Sequence, residues 1–358
     1  LLYEVHNAIY YDAENIDNAA FMDALRSIRP RLKAFLAEKA ASSAPFAGLT
    51  GHSHMDTAWL WHVDETVKKC ARTYSNALSL MEQYPEYRFI QSSSCHSDFI
   101  RKFYPELFER ITRRVKEGRY EPNGGVWVEC DCNITSGESM IRQFLWGQRF
   151  TQKYFGYTSD VFWLPDTFGY SAAIPQIMLG CGCRYFMTTK LSWNDTNPFP
   201  YDTFRWEGID GSTVLAHFNT THHNPDVADM YERFADIKQP EVTNMRYMAY
   251  GYGDGGGGPT FEMIESARRC TDLDGLGKSE NLSASTFMRR LAENARHINT
   301  HRGELYLELH RGTLTNQHTI KRNNRKSEIA LHNLEFLRVV RCMQAGVAAE
   351  HEDIDALT

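Results

Sequence analysis

The sequence predicts an α/β protein in which a parallel-stranded sheet or (β/α)7-like barrel is wrapped by helices and followed by the start of a helical bundle. Three observations predict this fold. From Gly48 onward, short apolar runs alternate with stretches of helical periodicity, an alternation typical of parallel sheets. Several polar motifs directly follow an apolar run, as expected where ligands bind at the carboxyl ends of strands. A long helical pattern then extends from Thr319 to Val347.

Residues 1–45 are predicted to form an N-terminal helical segment and a linker. Apolar residues recur there at spacings of three and four, which gives a helix one apolar stripe. They are Phe21, Leu25, Ile28, Leu32 and Phe35. Pro30 is expected to bend or restart this helix, because proline lacks the amide hydrogen that the helix needs. The linker is the stretch 40–46, which is rich in Ala and Ser.

Residues 46–305 are predicted to form the α/β domain. Helical periodicity is found at 64–84, 98–117, 137–154, 171–180 and 260–272. Short apolar runs predict strands at 46–50, 87–92, 126–130, 160–164, 184–188 and 213–218. Residues 306–358 are predicted to begin a helical-bundle domain that is truncated here. We therefore expect the chain to be part of a longer protein.

Composition and charge are those of an ordinary globular protein. The 358 residues carry a formal net charge of -6 and no basic tail or stripe. Phosphate binding requires clustered Lys and Arg, so we expect no nucleic-acid partner. No apolar run approaches the roughly 20 residues that span a bilayer, so we expect no membrane partner. Homo-oligomerisation is left open by the sequence.

The eight cysteines show no regular disulfide framework. Scattered reduced thiols are typical of a cytoplasmic protein, which is the location we expect. Two Cys-x-Cys pairs, Cys130 with Cys132 and Cys181 with Cys183, offer a Cys₄ zinc site in principle. Structural zinc sites more often use Cys-x-x-Cys loops, so buried thiols are the favoured interpretation.

A His-x-His-x-Asp motif, formed by His52, His54 and Asp56, directly follows the first apolar run. On an extended strand, residues at i, i+2 and i+4 point to the same side. Imidazole nitrogens and carboxylate oxygens are ligands that Zn²⁺ takes, so the motif predicts a metal site. A polar strand end is the alternative. Trp59 and Trp61 follow, either as core residues or as a platform under a sugar ring.

A second candidate ligand is Asp166, which follows the apolar run that ends at Leu164. Aspartate is a good helix N-cap, and a cap is the alternative role. At the carboxyl end of a strand in the same sheet as His54 and Asp56, however, its carboxylate can reach the same ion.

Asp254 lies in a glycine-rich turn from Gly251 to Pro259. Glycines allow positive φ and let a ligand come close to the backbone. A phosphate loop is disfavoured because the Gly-Lys-Ser/Thr ending is missing. A turn that presents Asp254 to a polar ligand fits better, and a flexible surface loop is the alternative.

The stretch Glu304–Leu309 alternates polar residues with leucine, which predicts a strand with one polar face. His310 at its end is a candidate nitrogen ligand, with a hydrogen-bonded strand-end histidine as the alternative. Arg311 follows, as a substrate contact or as a structural ion-pair partner.

Together these motifs resemble glycoside hydrolase family 38, the α-mannosidases, over roughly residues 46 to 345. The resemblance rests on a metal-binding His-x-Asp followed by Trp, which is here His54, Asp56 and Trp59. The further matching motifs are, in order, Gly125–Glu129 with Asn133, Ser136–Ser139 with Arg142-Gln143, Leu164–Tyr170, Lys190–Asn194, Phe204–Gly211, the glycine-rich turn and Glu308–Thr313. The chain looks most like the N-terminal catalytic part of the branch found in bacteria and in cytosolic or vacuolar enzymes.

The resemblance implies a zinc-dependent retaining α-mannosidase that hydrolyses terminal α-mannosides of oligosaccharides or glycans. The implied Zn²⁺ ligands are His54, Asp56, Asp166 and His310. Asp166 would also act as the nucleophile, and Asp254 is the candidate acid/base. Trp59 would stack beneath the sugar, and Arg311 is assigned to substrate binding.

Two alternatives stay open. The pair His52-x-His54 also resembles the metal motif of amidohydrolases, in which zinc activates water. That enzyme class needs further histidines from the middle of the chain, and the candidates are His96, His217, His222 and His223. The other alternative is a catalytically incomplete sugar-binding fragment, because family enzymes continue through a helical bundle and β-domains.

Overall fold

Helices and strands alternate along most of the chain in the computed structural model, which describes residues 1–10 and 17–348. The helices are α1 (Leu2–Ala8), α2 (Asn18–Phe35), α3 (Val63–Gln83), α4 (Ser94–Phe103), α5 (Pro105–Lys116), α6 (Gly137–Phe155), α7 (Ile174–Gly180), α8 (Val227–Ala235), α9 (Phe261–Arg269), α10 (Ala284–Asn294) and α11 (His318–Ala345). The strands are β1 (Phe46–His52), β2 (Phe89–Ser93), β3 (Tyr120–Val126), β4 (Val161–Trp163), β5 (Tyr185–Thr188), β6 (Thr203–Glu207), β7 (Thr213–Phe218), β8 (Thr220–His223), β9 (Met245–Tyr250), β10 (Asp272–Leu273), β11 (Gly277–Asn281) and β12 (Thr300–Arg302). Short 3₁₀ turns lie at Lys190–Trp193 and Arg311–Leu314.

The strands form two sheets that follow one another round a barrel-like ring. In the first sheet, β1 pairs in parallel with β2, β9 and β11, and β2 pairs in parallel with β3. In the second sheet, β5 pairs in parallel with β4 and β7. The sheets meet where β3 contacts β4 and where β7 continues through Asn219 into β8, which pairs in parallel with β9. These parallel strands therefore end on one side of the ring.

Side chains from both sheets fill the interior of the ring. Ile90 of β2, Trp163 of β4 and Tyr247 of β9 belong to one buried cluster. His217 of β7 joins the sheets, because its Nε2 accepts a hydrogen bond from the Tyr247 amide at 3.2 Å and its Nδ1 lies 3.0 Å from Thr203 Oγ1. Burial lowers the pKa of His217 to about 3, so the ring stays neutral and keeps its acceptor nitrogen.

Helices cover the outside of both sheets. Tyr74 of α3 packs in one buried cluster with Phe89 of β2 and Tyr120 of β3. Phe144 of α6 and Phe186 of β5 belong to the cluster that covers the second sheet. The predicted α/β class, a parallel-stranded sheet flanked by helices, is confirmed.

Several element boundaries differ from the sequence prediction. The predicted helix 98–117 is two helices, because Tyr104 precedes Pro105 and the residue before a proline is disfavoured in helical conformation. The predicted strand 126–130 is wrong: β3 lies six residues earlier in the chain and contains a proline and two glycines, which weaken a strand pattern. The helix α2 continues through Pro30.

Two predictions concern the C-terminal part of the described chain, and one of them is confirmed. The predicted strand Glu304–Leu309 is wrong, since only Leu305 makes a β-bridge, with Tyr170. The predicted long helix is confirmed as α11, and none of its residues is buried. None of the helices in residues 1–10 and 17–348 is long and apolar enough to cross a membrane.

The helix α6 lies directly on the end of β3, and a glycine makes this contact. A Cβ atom at Gly147 would lie 2.3 Å from the carbonyl carbon of Val126, whereas a Cβ atom at Gly137 of the same helix would meet nothing within 4 Å. The backbones of α6 and β3 therefore approach too closely for a side chain at Gly147.

We predict that Gly147→Ala destabilises the protein. The added methyl group pushes α6 away from β3, and this separation costs more free energy than the gain in helix propensity of about 1 kcal/mol. We therefore expect the free energy of unfolding to fall by about 2 kcal/mol or more. Urea unfolding measures this value. The matched control Gly137→Ala stays at or slightly above the parent, and equal stabilities of the two variants would contradict the close packing of α6 on β3.

Candidate active site and metal centre

The end of β1 places a histidine and an aspartate beside each other. The strand ends at His52, and the chain continues through Ser53 to Asp56 outside the sheet. The side chain of His54 is 3% exposed, whereas that of Asp56 is 32% exposed. His54 is therefore buried beside a carboxylate that solvent reaches.

Asp166 approaches the same pair from β4, in the second sheet. His54 Nε2 lies 3.4 Å from Asp166 Oδ2 and 3.6 Å from Asp56 Oδ1. The donor atoms of the three residues all lie within 4.8 Å of one another. Asp166 does not cap a helix, because α7 begins only at Ile174. The two sheets thus bring three potential ligands together at the carboxyl ends of their strands.

The spacing of these atoms fits a zinc ion. Two donors at about 2.0 to 2.2 Å from a tetrahedral Zn²⁺ are separated by about 3.4 Å. The two measured separations from His54 Nε2 are 3.4 and 3.6 Å, and this buried nitrogen has no hydrogen-bond partner among the described residues. One imidazole and two carboxylates leave a coordination position for a further ligand, as in catalytic zinc sites.

Lys190 fixes the other oxygen of Asp166. Its Nζ lies 2.6 Å from Asp166 Oδ1 and 3.7 Å from the centre of the Trp193 ring. Burial alone would raise the pKa of Asp166, but the neighbouring His54 and Lys190 lower it to about 2. Asp166 is therefore ionised over the physiological range, with Oδ1 towards Lys190 and Oδ2 towards His54.

Glu129 adds a third carboxylate on the other side of the His54 ring. Its Oε1 lies 3.7 Å from His54 Nδ1. Burial alone would lower the pKa of His54, but the charge of Glu129 and the closeness of Asp166 and Asp56 raise it well above its usual value. The same negative field that attracts a proton attracts a divalent cation. The donor set therefore suits a metal electrostatically as well as geometrically.

The glycine-rich turn that carries Asp254 is anchored on two sides. The Gly256 amide donates a hydrogen bond to the His54 carbonyl at 3.2 Å. From α3, Thr73 Oγ1 donates to the Gly256 carbonyl at 2.5 Å and Lys69 Nζ donates to the Gly255 carbonyl at 3.1 Å. These bonds favour a turn that presents Asp254 over a flexible surface loop.

Asp254 itself lies at the edge of the site, next to His222. Its side chain is 69% exposed, and Oδ1 lies 3.8 Å from His222 Nε2. The His222 ring in turn lies 6.1 Å from the His54 ring, centre to centre. Gly253 makes this packing feasible: its φ is +77°, and a Cβ there would lie 2.1 Å from the His222 ring. Asp254 is thus connected to the three converging side chains through His222.

Trp59 presents an exposed aromatic ring shortly after the metal motif in the chain. It follows Asp56 by three residues and is 62% exposed. Its ring meets the ring of Trp61 edge-on at 5.2 Å, and Trp61 is held by a hydrogen bond from Nε1 to Thr66 Oγ1. An exposed, supported aromatic ring is suited to contact with a sugar.

His310 is not among the three converging donors, but its ring lies 6.1 Å from that of Trp193, on which Lys190 stacks. Because the strand predicted before it does not form, His310 occupies a left-handed turn position with φ of 56°, and its ring packs 4.8 Å from that of Phe168. Arg311 is exposed, with its guanidinium 5.9 Å from the Tyr306 ring. Both residues line a neighbouring cavity of about 570 Å³.

A cavity of about 590 Å³ opens over the site. Lys190, Trp193 and His222 are among its walls. Its lining residues are His54, Pro165, Asp166, Thr189, Lys190, Ser192, Trp193, Asp202, Phe218, Asn219, Thr220, Thr221, His222, His223, Arg233, Asp236, Lys238 and Arg246. A concave, polar space of this size suits a ligand with many hydroxyl groups.

The metal arrangements considered as alternatives find little support. His52 is buried, with its ring 4.8 Å from that of Trp163, and burial lowers its pKa well below the usual value. The group of potential ligands found among the described residues contains neither His52 nor a cysteine. The amidohydrolase ligand set is therefore not assembled, and all eight cysteines are free.

The sequence analysis gives no individual role to Glu129 or Lys190, and it names His222 only as a candidate ligand of the amidohydrolase alternative. Glu129 and Lys190 lie in motifs that resemble family 38, but a lone Glu or Lys usually indicates a solvated position. Each of the three lies at or shortly after the end of a strand of the ring. Position relative to strand ends is therefore the signal that could have found them.

Comparison with known proteins identifies the class. The sequence profile described as "Glycosyl hydrolases family 38 N-terminal domain" matches residues 47–305. The chain is 45% identical over 308 residues to "Alpha-mannosidase G" of Dictyostelium discoideum, covering 85% of this chain and 28% of that protein. It is 46% identical over 291 residues to "Alpha-mannosidase 2C1" of Homo sapiens, covering 80% of this chain and 28% of that protein.

The chain belongs to glycosyl hydrolase family 38. Its fold is similar to that in the crystal structure of an alpha-mannosidase from Enterococcus faecalis V583, with a TM-score of 0.64 and 20% identity over 73% of this chain and 31% of that chain. The chain spans 28% of the length of the two curated relatives.

We predict that Lys190→Met raises the pKa of Asp166 in the metal-free protein from about 2 towards the value of an ordinary aspartate, near 3.9. The substitution removes the ammonium group that favours the ionised carboxylate. Carbon-13 NMR of the aspartate carboxyl groups measures the titration. In the control Lys69→Met, which removes an ammonium bound to Gly255 instead, the pKa of Asp166 is unchanged. A value that stays near 2 in Lys190→Met would contradict this role of Lys190.

Proposed function

We propose that this chain is the catalytic part of a zinc-dependent retaining α-mannosidase that removes terminal α-mannose from oligosaccharides or glycans. The observation that carries the proposal is the convergence of His54, Asp56 and Asp166, whose donor atoms lie within 4.8 Å of one another. Membership of family 38 and relatives named alpha-mannosidase at 45% and 46% identity support the reaction class.

The residues that would hold the zinc ion are His54, Asp56 and Asp166. Their nitrogen and oxygen donors belong to the set that zinc prefers. Bound Zn²⁺ would supply a Lewis-acidic charge that orients the adjacent cis 2- and 3-hydroxyls of mannose. His310 is our candidate for the fourth ligand: it lies outside the group of three, but its ring is near the site, 4.8 Å from that of Phe168 and 6.1 Å from that of Trp193.

Asp166 is our candidate for the nucleophile. A nucleophilic carboxylate must be ionised, and the low pKa of Asp166 satisfies this condition. Lys190 holds one of its oxygens, which limits rotation of the carboxylate. Attack of Asp166 on the anomeric carbon forms a glycosyl ester as the bond to the leaving oxygen breaks.

Asp254 is our candidate for the acid/base. In a retaining glycosidase the second carboxyl group donates a proton to the leaving oxygen and then takes one from the water that releases the sugar. The exposure of Asp254 and its position beside His222 allow exchange of protons with solvent. Two successive inversions at the anomeric carbon give mannose with its original configuration.

Trp59 is our candidate for the sugar platform, and Arg311 for a contact with more distant parts of the substrate. The exposed ring of Trp59 can cover the apolar face of a hexose. We also propose a cytoplasmic location, because all eight cysteines are free and most are buried, as is typical of a reducing compartment.

We predict that Asp166→Asn abolishes hydrolysis of an aryl α-mannoside, lowering kcat/KM by about four orders of magnitude or more, because an amide cannot act as the nucleophile. The control is Asp210→Asn, which changes an aspartate of the turn between β6 and β7, where it hydrogen-bonds Ser212. Full activity in Asp166→Asn would refute the mechanism.

We also predict that NMR of the reaction shows the α-anomer of mannose as the first product. The β-anomer as the first product would refute retention.

We further predict that a zinc chelator abolishes the activity and that added Zn²⁺ restores it. The metal would lie between His54 and the carboxylates of Asp56 and Asp166, and without it the protein would lack the charge that orients the sugar. Rate measurements before chelation, after it and after zinc addition check this. Activity that survives removal of zinc, verified by metal analysis, would contradict zinc dependence. Mannoside binding without turnover would instead identify a sugar-binding fragment.

A further inference from the structure

We propose that Glu129 is a positioning residue that holds the His54 ring through Nδ1, so that Nε2 is aimed at the metal position. This inference rests on the proposed metal site and adds a carboxylate–histidine–metal chain to it. It concerns the orientation and basicity of the ligand, and Glu129 itself does not join the group of three converging donors.

The geometry of the two nitrogens of His54 supports this role. Nε2 faces Asp56 and Asp166, whereas Nδ1 faces Glu129 Oε1 at 3.7 Å. The two nitrogens lie on different edges of the imidazole, so a ring that coordinates through Nε2 must carry its proton on Nδ1. A carboxylate is the acceptor that commonly meets such a proton in metal sites. At 3.7 Å the two atoms form an ion-pair contact and not a hydrogen bond, and Nδ1, like Nε2, has no hydrogen-bond partner among the described residues. A shift of about 0.5 Å would bring Glu129 Oε1 within hydrogen-bond distance of this unpartnered nitrogen.

The fold holds Glu129 from both its backbone and its side chain. The chain leaves β3 at Val126, and Glu129 reaches the end of β2, where Ser92 Oγ donates a hydrogen bond to Oε1 at 2.5 Å. The next residue of β2, Ser93, accepts a hydrogen bond from the Glu129 amide at 3.1 Å through its Oγ. Two consecutive serines therefore set the direction of the carboxylate.

The charges around Glu129 argue against an ordinary structural ion pair. Its ion-pair partner is His54, and the other charges acting on it, those of Asp56 and Asp166, are negative. Its side chain is 14% exposed. A carboxylate held in this setting is unfavourable unless a cation is nearby, and a metal-bound imidazolium-like ring supplies that positive charge.

Glu121 on β3 shows what a structural buried glutamate looks like in this protein. Its carboxylate accepts hydrogen bonds from the Ala284 amide at 2.8 Å and from Asn123 Nδ2 at 2.9 Å. Tyr157 Oη donates a further bond at 3.3 Å. Glu121 thus ties β3 to the start of α10, away from the metal position. Glu129 has a single side-chain donor and faces a proposed ligand instead.

The test compares zinc affinities of purified variants by competition with a chelating indicator. We expect Glu129→Gln to bind Zn²⁺ about 10- to 100-fold more weakly than the parent, because the amide is a weaker acceptor for the Nδ1 proton. The matched control Glu121→Gln lowers the thermal unfolding midpoint. Its zinc affinity stays within about twofold of the parent, because Glu121 lies away from the metal position. Zinc affinity in Glu129→Gln within about twofold of the parent would overturn the proposal.

A second variant covers the case in which Glu129→Gln does not fold. Ser92→Ala keeps the carboxylate and removes its side-chain donor, and we expect zinc affinity to fall by several-fold while the metal-free protein stays folded. Unchanged zinc affinity in Ser92→Ala would then overturn the positioning role of Glu129. If the parent itself binds no zinc, the proposed metal site fails too; unchanged affinity in the variants of a zinc-binding parent refutes this inference alone.

Discussion

The accumulation of negative charge around one buried imidazole is the constraint on which the site depends. Asp56, Asp166 and Glu129 all lie within 4 Å of His54, and Lys190 balances one of them. Carboxylates at this distance repel one another unless positive charge lies between them. In the absence of metal a proton on His54 meets this need, and a divalent cation meets it better. The fold therefore holds the donors in an arrangement that a metal stabilises.

The ring of strands brings the residues of this charge cluster together. His54 follows β1 in the first sheet, and Asp166 follows β4 in the second. The sheets are joined by His217, which accepts a hydrogen bond from β9, and by the contact of β3 with β4. The glycine-rich turn is bonded to the same β1 segment and to α3. Ligands, nucleophile and candidate acid/base thus depend on one framework, which keeps their separations small.

The sequence predicted the class of fold and the residues that lie after strongly apolar strands, His54, Asp56 and Asp166. The sequence prediction failed where the local periodicity of a segment did not match its tertiary contacts. Leu305 and Leu307 are buried, as their alternation suggested, but the backbone between them has no neighbouring strand, so His310 lies in a turn and not at the end of a strand. Glu129 and Lys190 contact partners far away in the chain. Their position after a strand could have marked them as candidates, but a single sequence does not show which residues they contact.

Anomalous diffraction at the zinc absorption edge, from crystals grown with zinc, tests the central claim most directly. The account predicts one peak about 2.0 to 2.2 Å from His54 Nε2 and from an oxygen each of Asp56 and Asp166. A peak bound elsewhere, or no peak at this position in zinc-saturated crystals, would contradict it.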